Sequence, residues 1–457
     1  MGEFRIIRWP VLFGALAILA TGLAPMPAVA GLLDRGKPAA KAQPSDLPGD
    51  AYRRLQEFGR KFEILAPSSQ AETLAALDLF AEILQRIQNR YWRRVPAKTL
   101  IDAALAALGA QKPGTAARPL ALAAVRGMLG SLDAYSGFTA TKARAKKTRR
   151  PHFANIGLEV FIKDGAIQVI SPHDGSPASR AGIRPGDVVT GIDGHRFTKP
   201  ALGAVLEKMR GPVGSEVRLQ LRRAGGPEFE ARMLRAIAPG RTVRARLDGN
   251  IAVIRIARFA AHTSCDLHRR LGELRARAAA KGARIDGIVL DLRNNSGGLL
   301  NQAITVADIF LDSGEIVSTR AGGGGKAAKH RRFNARFGDA LRGRPLAVVI
   351  NGGSASAAEI VAGALQDLKR AIVVGEKSFG KGSVQTLMPI KGHGTLRLTT
   401  SHYYAPSGRS FDDAPIRPDV NAQACKRLTG SRLAAGEDVL IACALRGVRV
   451  RARVGRR

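Results

Sequence analysis

Residues 346–365 restrict the fold more than any other part of this 457-residue chain. Leu346-Ala347-Val348-Val349-Ile350 is an unbroken apolar run of the kind that suits a strand buried on both faces. Asn351-Gly352-Gly353 supplies a tight turn, and Ser354-Ala355-Ser356-Ala357-Ala358-Glu359 opens a helix-like stretch that continues to Leu365. A strand that hands over to a helix through small residues is the repeating unit of an α/β layer. The same texture holds from Gly249 onward. Ile285–Leu292 and Ala371–Val374 read as further buried strands, helical stretches follow Ile285–Leu292 and Leu346–Ile350, and Leu396–Tyr404 alternates as a strand does. The tract Ala321–Arg332, with four consecutive glycines, is predicted to be a mobile surface loop.

Upstream the texture differs. Arg5 and Arg8 precede the apolar stretch Val11–Ala24, Pro25 and Pro27 break it, and Ala28-Val29-Ala30 has the small-x-small pattern of a cleavage site. Residues 1–30 are therefore predicted to be a secretory signal peptide, with an uncleaved anchor as the alternative, and the chain to be periplasmic or otherwise in the cell envelope. Residues 31–50, rich in Pro, Gly, Ala and Lys, read as a linker. Residues 51–150 are predicted to be a helical region in which Leu77, Phe80, Leu84, Ile87 and Tyr91 share one face, ending in the basic joint Lys142–Arg150. Residues 153–236 change to short strands and turns. The expected fold class is a multidomain α+β chain: N-terminal helices, a β-rich domain, an α/β core over 245–425 and a basic tail over 426–457.

The net charge of +35 comes from 72 Lys+Arg against 37 Asp+Glu. It is spread along the chain, and its densest runs, 142–150 and 446–457, hold no aromatic residue to stack on bases. This disfavours nucleic acid as a partner and supports a basic surface beside anionic envelope polymers. Cys425 and Cys443 are placed to pair in an oxidising compartment, leaving Cys265 over; three buried thiols are the alternative.

Ile156-Gly157-Leu158-Glu159-Val160, Ser176-Pro177-Ala178, Ala181-Gly182 and Pro185-Gly186-Asp187 together make residues 153–236 resemble a PDZ domain of the bacterial kind found in exported proteases. A PDZ site adds a peptide C-terminus as a strand at a sheet edge and holds its carboxylate in a nest of backbone N–H groups. Ile156, Gly157 and Leu158 are the candidate substrate-binding residues, since glycine allows close backbone approach.

The turn at 351–356 presents a serine at a helix N-terminus, where free N–H groups can stabilise an oxyanion. Further on, Gly375-Glu376-Lys377-Ser378-Phe379-Gly380-Lys381-Gly382-Ser383-Val384-Gln385 places lysines among glycines at a turn. With Asp291-Leu292-Arg293-Asn294-Asn295-Ser296-Gly297-Gly298, these stretches make most of the chain resemble the carboxyl-terminal processing peptidases, also called tail-specific proteases. The resemblance implies that Ser356 is the nucleophile, Lys381 the general base and Gln385 its orienting partner. It further implies that Gly298 and Ala357 supply oxyanion N–H groups and that Asp367 supports the site. The residues themselves leave Ser354 and Lys377 open as alternatives. Asp291 and Arg293 read as structural at a strand end.

A serine hydroxyl needs a base to become a nucleophile, and lysine serves only when burial lowers its pKa from about 10.4. A glutamine partner adds a hydrogen bond without adding charge. The resemblance also implies a crotonase/Clp-protease-like catalytic core, a PDZ domain that gates a narrow channel, no metal or organic cofactor, and oligomers or adaptor partners. The expected function is an exported serine endopeptidase that recognises apolar C-terminal tails of proteins and works through an acyl-enzyme at Ser356. An inactive PDZ-containing scaffold or chaperone is the alternative; an acyl-CoA enzyme of related fold is disfavoured by the signal peptide and the PDZ segment. Two departures stand out. Leu132-Asp133-Ala134-Tyr135-Ser136 replaces the usual Leu-Asp-Pro-His-Ser, and Pro415-Ile416-Arg417-Pro418-Asp419 replaces Gly-Ile-x-Pro-Asp. Neither is expected to touch the proposed dyad; both bear on how the helical and PDZ parts dock.

Overall fold

The structure, a computed structural model, describes residues 49–140, 153–198, 202–237, 242–323, 326–412, 414–429 and 437–454. The predicted signal peptide, nearly all of the linker and the basic joint at 142–150 lie outside the described residues.

Four helices, Gly49–Leu65, Gln70–Arg90, Ala97–Gly109 and Ala117–Gly130, pack around Phe58, Phe62, Phe80, Ile83 and Ile101. Ser69 caps the second helix through a bond from Glu72 N, and Phe58 stacks on Phe80 with ring centroids 4.1 Å apart. The face predicted from spacing is the buried one: Leu77, Phe80, Leu84, Ile87 and Tyr91 are all inside. This core also takes in Ile390, Leu396 and Leu398, which belong to a sheet of the α/β body. The region predicted as purely helical contributes a strand as well, since Gly137–Ala140 pairs antiparallel with Gly394–Arg397. No local periodicity could have shown this, because a four-residue edge strand is specified by its distant partner.

In the PDZ unit, five antiparallel strands (Leu158–Lys163, Ala166–Pro172, Val188–Ile192, Glu216–Arg222, Glu228–Leu234) and the helix Leu202–Met209 enclose Ile156, Val189, Val217, Leu219 and Leu221. Asp187 of the Pro-Gly-Asp turn is buried, accepts two bonds from Arg223 (2.8 and 2.9 Å) and one from Arg184 N.

The α/β body is built on a six-stranded sheet in the order Val243–Asp248, Ile251–Ile256, Gly287–Asp291, Leu346–Ile350, Ile372–Gly375, Val420–Asn421. The first pair is antiparallel and the rest are parallel. Val348 and Ile350 face the helices Thr263–Ala279, Leu300–Asp308 and Ala357–Asp367, whereas Ala347 and Val349 face the helix Val439–Val454. Helices on both faces explain the unbroken apolar run at 346–350. They also revise the reading of the C-terminus. What was expected to be a basic tail forms the helices Ala422–Thr429 and Val439–Val454, which cover one face of the sheet and are joined by a Cys425–Cys443 disulfide. Cys265 is exposed, so the alternative of three buried thiols does not hold.

A second sheet contains Glu315–Gly323, Lys326–Asn334, Ser383–Ile390 and Gly394–Tyr404. Residues 321–323 and 326–332 of the tract predicted as a loop thus lie in two paired strands. Ser318, Thr319 and Arg320 pair on their other side with Tyr404, Tyr403 and His402, and this long-range ladder overrides the local glycine signal.

The disulfide closes a loop between positions 18 residues apart, a constraint worth roughly 3 kcal/mol by loop entropy. Replacing Cys425 and Cys443 by Ser should lower stability by about that amount, and denaturant melts of the double variant against the oxidised protein measure it.

Candidate active site

Asn351 organises the turn that follows the strand Leu346–Ile350. Its Oδ1 accepts from Asn294 N (2.8 Å) and Gly353 N (3.1 Å), and its Nδ2 donates to Asn294 Oδ1 (2.8 Å). Ser354 is fully buried; its hydroxyl donates to Leu292 O (2.8 Å) and accepts from Asn351 N (3.0 Å), so it is committed to holding the turn. Ser356 differs. It stands at the helix N-terminus with φ 54° and ψ −114°, a left-handed conformation that costs a non-glycine residue about 1–3 kcal/mol.

The glycines of the Asn-Asn-Ser-Gly-Gly stretch lie against this elbow. A Cβ added at Gly297 would fall 2.9 Å from Ser356 Cβ and 3.0 Å from Ala357 N. Gly298 forms a parallel bridge with Phe259 in which Gly297 O accepts from Phe259 N and Leu299 N donates to Phe259 O. That pattern turns the Gly298 N–H away from Phe259. Among the described residues neither Gly298 N nor Ala357 N has a hydrogen-bond partner, the condition an oxyanion-binding pair requires.

Glu359 joins the serine turn to the lysine loop. Its side chain is wholly buried and takes four hydrogen bonds: Ser356 N (2.8 Å) and Lys381 N (2.8 Å) on Oε2, Gly380 N (2.7 Å) and Ser378 Oγ (2.6 Å) on Oε1. Burial pushes this carboxyl up, and the bonds from Ser378, Lys381, Ser356 and Gly380 oppose the rise. The sequence reading gave Glu359 no role, although it stands three residues into the helix, where a glutamate commonly reaches back to the cap.

Lys381 lines a cavity of about 260 Å³ together with Tyr135, Gln385 and Arg397 of the helical and α/β parts and Ile156, Leu158 and Glu159 of the PDZ unit. Burial pushes its ammonium below the ordinary lysine range and nearby Arg397 adds to this, while Glu159, Glu359 and Asp412 pull the other way. Its Nζ lies 5.0 Å from the centroid of the Tyr135 ring and makes no hydrogen bond to Ser356. The departure at Tyr135 therefore does touch the proposed base. The departure at Pro415 packs against the lysine loop, since a Cβ added at Gly380 would fall 3.3 Å from Pro415 Cδ, and the next residue, Ile416, exchanges bonds with Ser378 (2.7 and 3.0 Å). Lys377 is exposed.

Three expected residues are placed differently from their assigned roles. Gln385 lines the cavity but donates its amide to Ser383 Oγ (2.9 Å) and not to Lys381. Asp367 ends the helix that Ser356 begins, about 16 Å away at 1.5 Å per residue, where it accepts from Ser407 N and faces Arg409. Gly157 has φ 67°, and a Cβ there would fall 2.3 Å from Ser176 Cβ. Its N–H already donates to Asn155 Oδ1 (2.9 Å), while Ile156 and Leu158 line the cavity.

The PDZ unit is pinned beside the site. Asp174 accepts two bonds from Arg255 (2.7 and 2.8 Å), and Ser171 Oγ donates to Asn294 O (2.7 Å). Arg255 also reaches Asp291 (3.5 Å), and Arg293 bridges Asp291 to Asp438 at the start of the C-terminal helix (2.8 and 2.7 Å).

Because Glu359 accepts from four donors, Glu359→Gln turns an NH₂ group toward N–H groups. Such a loss inside a buried network costs about 2–4 kcal/mol, and kcat should fall roughly a hundredfold or more while KM for a tailed peptide changes little. Steady-state kinetics beside a thermal melt check this.

Residues 250–422 match peptidase family S41, and residues 168–223 match the PDZ domain. The carboxy-terminal-processing protease of Bartonella bacilliformis is 38% identical over 359 residues, covering 78% of this chain and 77% of that protein. The carboxy-terminal processing protease CtpA of Bacillus subtilis is 31% identical over 369 residues, covering 79% and 72%. Among solved structures, the photosystem II D1 C-terminal processing protease superposes with a TM-score of 0.65 at 26% identity, covering 77% of this chain and 93% of that one. Family, domain content and fold agree: the chain belongs to peptidase family S41, the carboxy-terminal processing serine proteases.

Proposed function

We propose that this serine protease, which acts on the C-terminal regions of proteins, is exported to the cell envelope and cleaves through a Ser356–Lys381 dyad. The observation that carries this reading is the shared carboxylate of Glu359. One of its oxygens accepts from the backbone N–H of both Ser356 and Lys381, which supports pairing a serine at a helix N-terminus with a lysine of lowered pKa.

In this reading a tail with apolar side chains enters the PDZ groove, and Lys381 swings from Tyr135 toward Ser356. Ser356 Oγ attacks the scissile carbonyl carbon while neutral Lys381 takes its proton. Negative charge gathers on the carbonyl oxygen, where the N–H groups of Gly298 and Ala357 receive it. The C–N bond breaks as the lysine ammonium passes the proton to the leaving amine. Water, deprotonated by the same lysine, then hydrolyses the acyl-enzyme. The Cys425–Cys443 disulfide and the signal-like N-terminus support an oxidising compartment. A homo-oligomer or an adaptor protein as partner belongs to the same proposal, and the +35 charge supports peripheral contact with anionic envelope polymers.

The base must be neutral to act, so activity should be present above the lowered Lys381 pKa and lost as pH falls through it. A pH–rate profile is expected to rise with an apparent pKa below that of free lysine. Ser356→Ala, Lys381→Ala and Lys381→Arg should all abolish turnover, since arginine does not deprotonate at working pH; Gln385→Ala should keep part of it. A Lys381→Arg enzyme with near-native kcat would remove Lys381 as the base and move attention to Lys377.

A further inference from the structure

Arg397 enters the cavity opposite the PDZ groove from the strand Gly394–Tyr404. Its Nε donates to Tyr135 O at 2.8 Å, which fixes the plane of the guanidinium. Among the described residues its two Nη groups have no hydrogen-bond partner. The nearest acids, Asp133 and Glu159, act on it only through space, and Glu159 already faces His173 at 3.5 Å. Arg397 is half-buried, and burial pushes its pKa below the usual arginine range.

In the same cavity the Gly157 N–H is already taken by Asn155 Oδ1 and is not offered to a carboxylate. Its PDZ walls carry an apolar strip, Leu158 and Val160 on the strand and Leu202, Leu206 and Met209 on the helix, beside Asn155, Glu159 and His173. With Lys381 and Arg210 also lining it against Glu159, the cavity carries excess positive charge. A ligand that fits both properties has apolar side chains and one terminal anion.

We infer that Arg397 is the anchor for the free α-carboxylate of a substrate tail, so that the tail bridges the PDZ groove and the protease body. The assignment rests on the tail-recognition reading above and goes beyond it by placing the specificity charge outside the PDZ unit. With Nε engaged, the Nη1/Nη2 edge of the planar guanidinium still offers two parallel N–H groups that match a carboxylate in bidentate fashion.

The test uses the full chain in a Ser356→Ala background and a fluorescent fifteen-residue peptide ending in Ala-Ala, made once as the free acid and once as the C-terminal amide. The amide should bind about tenfold or more weakly than the acid, as expected for losing a charge-assisted pair. Adding Arg397→Gln should bring the two Kd values within about twofold, and adding Arg397→Lys should retain a clear preference for the acid, since the charge remains. Equal binding of acid and amide by the Ser356→Ala protein itself overturns the tail reading and this assignment with it. A normal preference that survives Arg397→Gln overturns the assignment alone. Loss of the preference in Arg397→Lys as well shows that Arg397 only holds Tyr135, and also overturns it; this arm decides the matter even if Arg397→Gln does not fold.

Discussion

The buried carboxylate of Glu359 is the interaction on which the candidate site depends. Burying an ion costs several kcal/mol, and each hydrogen bond to it returns about 1.5–3 kcal/mol, so the four bonds offset much of the cost while burial still holds the carboxyl above its usual range. Two of the four donors come from the lysine-loop backbone, one from the Ser378 hydroxyl and one from Ser356 itself. The strained φ of Ser356 is held from two sides: its N–H is anchored to Glu359, and Gly297 packs against its Cβ. Without that clamp the turn and the loop would each be free to relax, and the serine and lysine would lose their common frame.

The charge state of Lys381 follows from how the domains dock. Burial favours the neutral amine, whereas Glu159 of the PDZ unit favours the ammonium. Glu159 in turn is pushed up by burial, but its bond with His173 and the charges of Lys381, His173 and Arg397 outweigh that and hold it below the usual carboxylate range. Under the proposed mechanism, moving the PDZ strand away from the cavity would remove Glu159, which favours the ammonium, together with part of the burial that favours the neutral amine. The pins at Asp174–Arg255 and Ser171–Asn294 lie at the Glu159 end of the same PDZ strand pair, where Ser171 pairs with Glu159, so they hold that charge beside the cavity.

Much of this arrangement was legible because it is local. The helical face from Leu77 to Tyr91, the run Leu346–Ile350 and the small residues after it each state their environment within a few positions. What was missed is non-local. The hairpin around the glycine tract is fixed by pairing with residues 402–404, and the strand Gly137–Ala140 by residues 394–397. The basic C-terminus hid a helix whose Ile441, Ala444, Leu445 and Val448 cover the sheet, because the arginines between them dominated the reading. Asp367 was placed near the site by family position alone, and helix geometry carries it to the opposite end. Gln385 is within the cavity, but only coordinates show that Ser383 holds its amide.

Tyr135 shows how one departure from a family pattern can act through packing. Its ring stacks on Phe161 of the PDZ unit (6.4 Å), Phe161 meets Phe379 of the lysine loop edge-on (4.9 Å), and the Lys381 ammonium lies over its face. All three parts of the chain therefore meet at one aromatic cluster beside the proposed base. Histidine, the usual residue at this position by resemblance, would titrate between about pH 5 and 8 and would repel the ammonium when protonated. A tyrosine ring stays uncharged across that range, and its face attracts a cation by about 0.5–2 kcal/mol. The contact between Lys381 and this ring is thus insensitive to mild acidification of the residue at position 135. Its strength is small, which under the proposed dyad would let Lys381 move toward Ser356 when a tail binds.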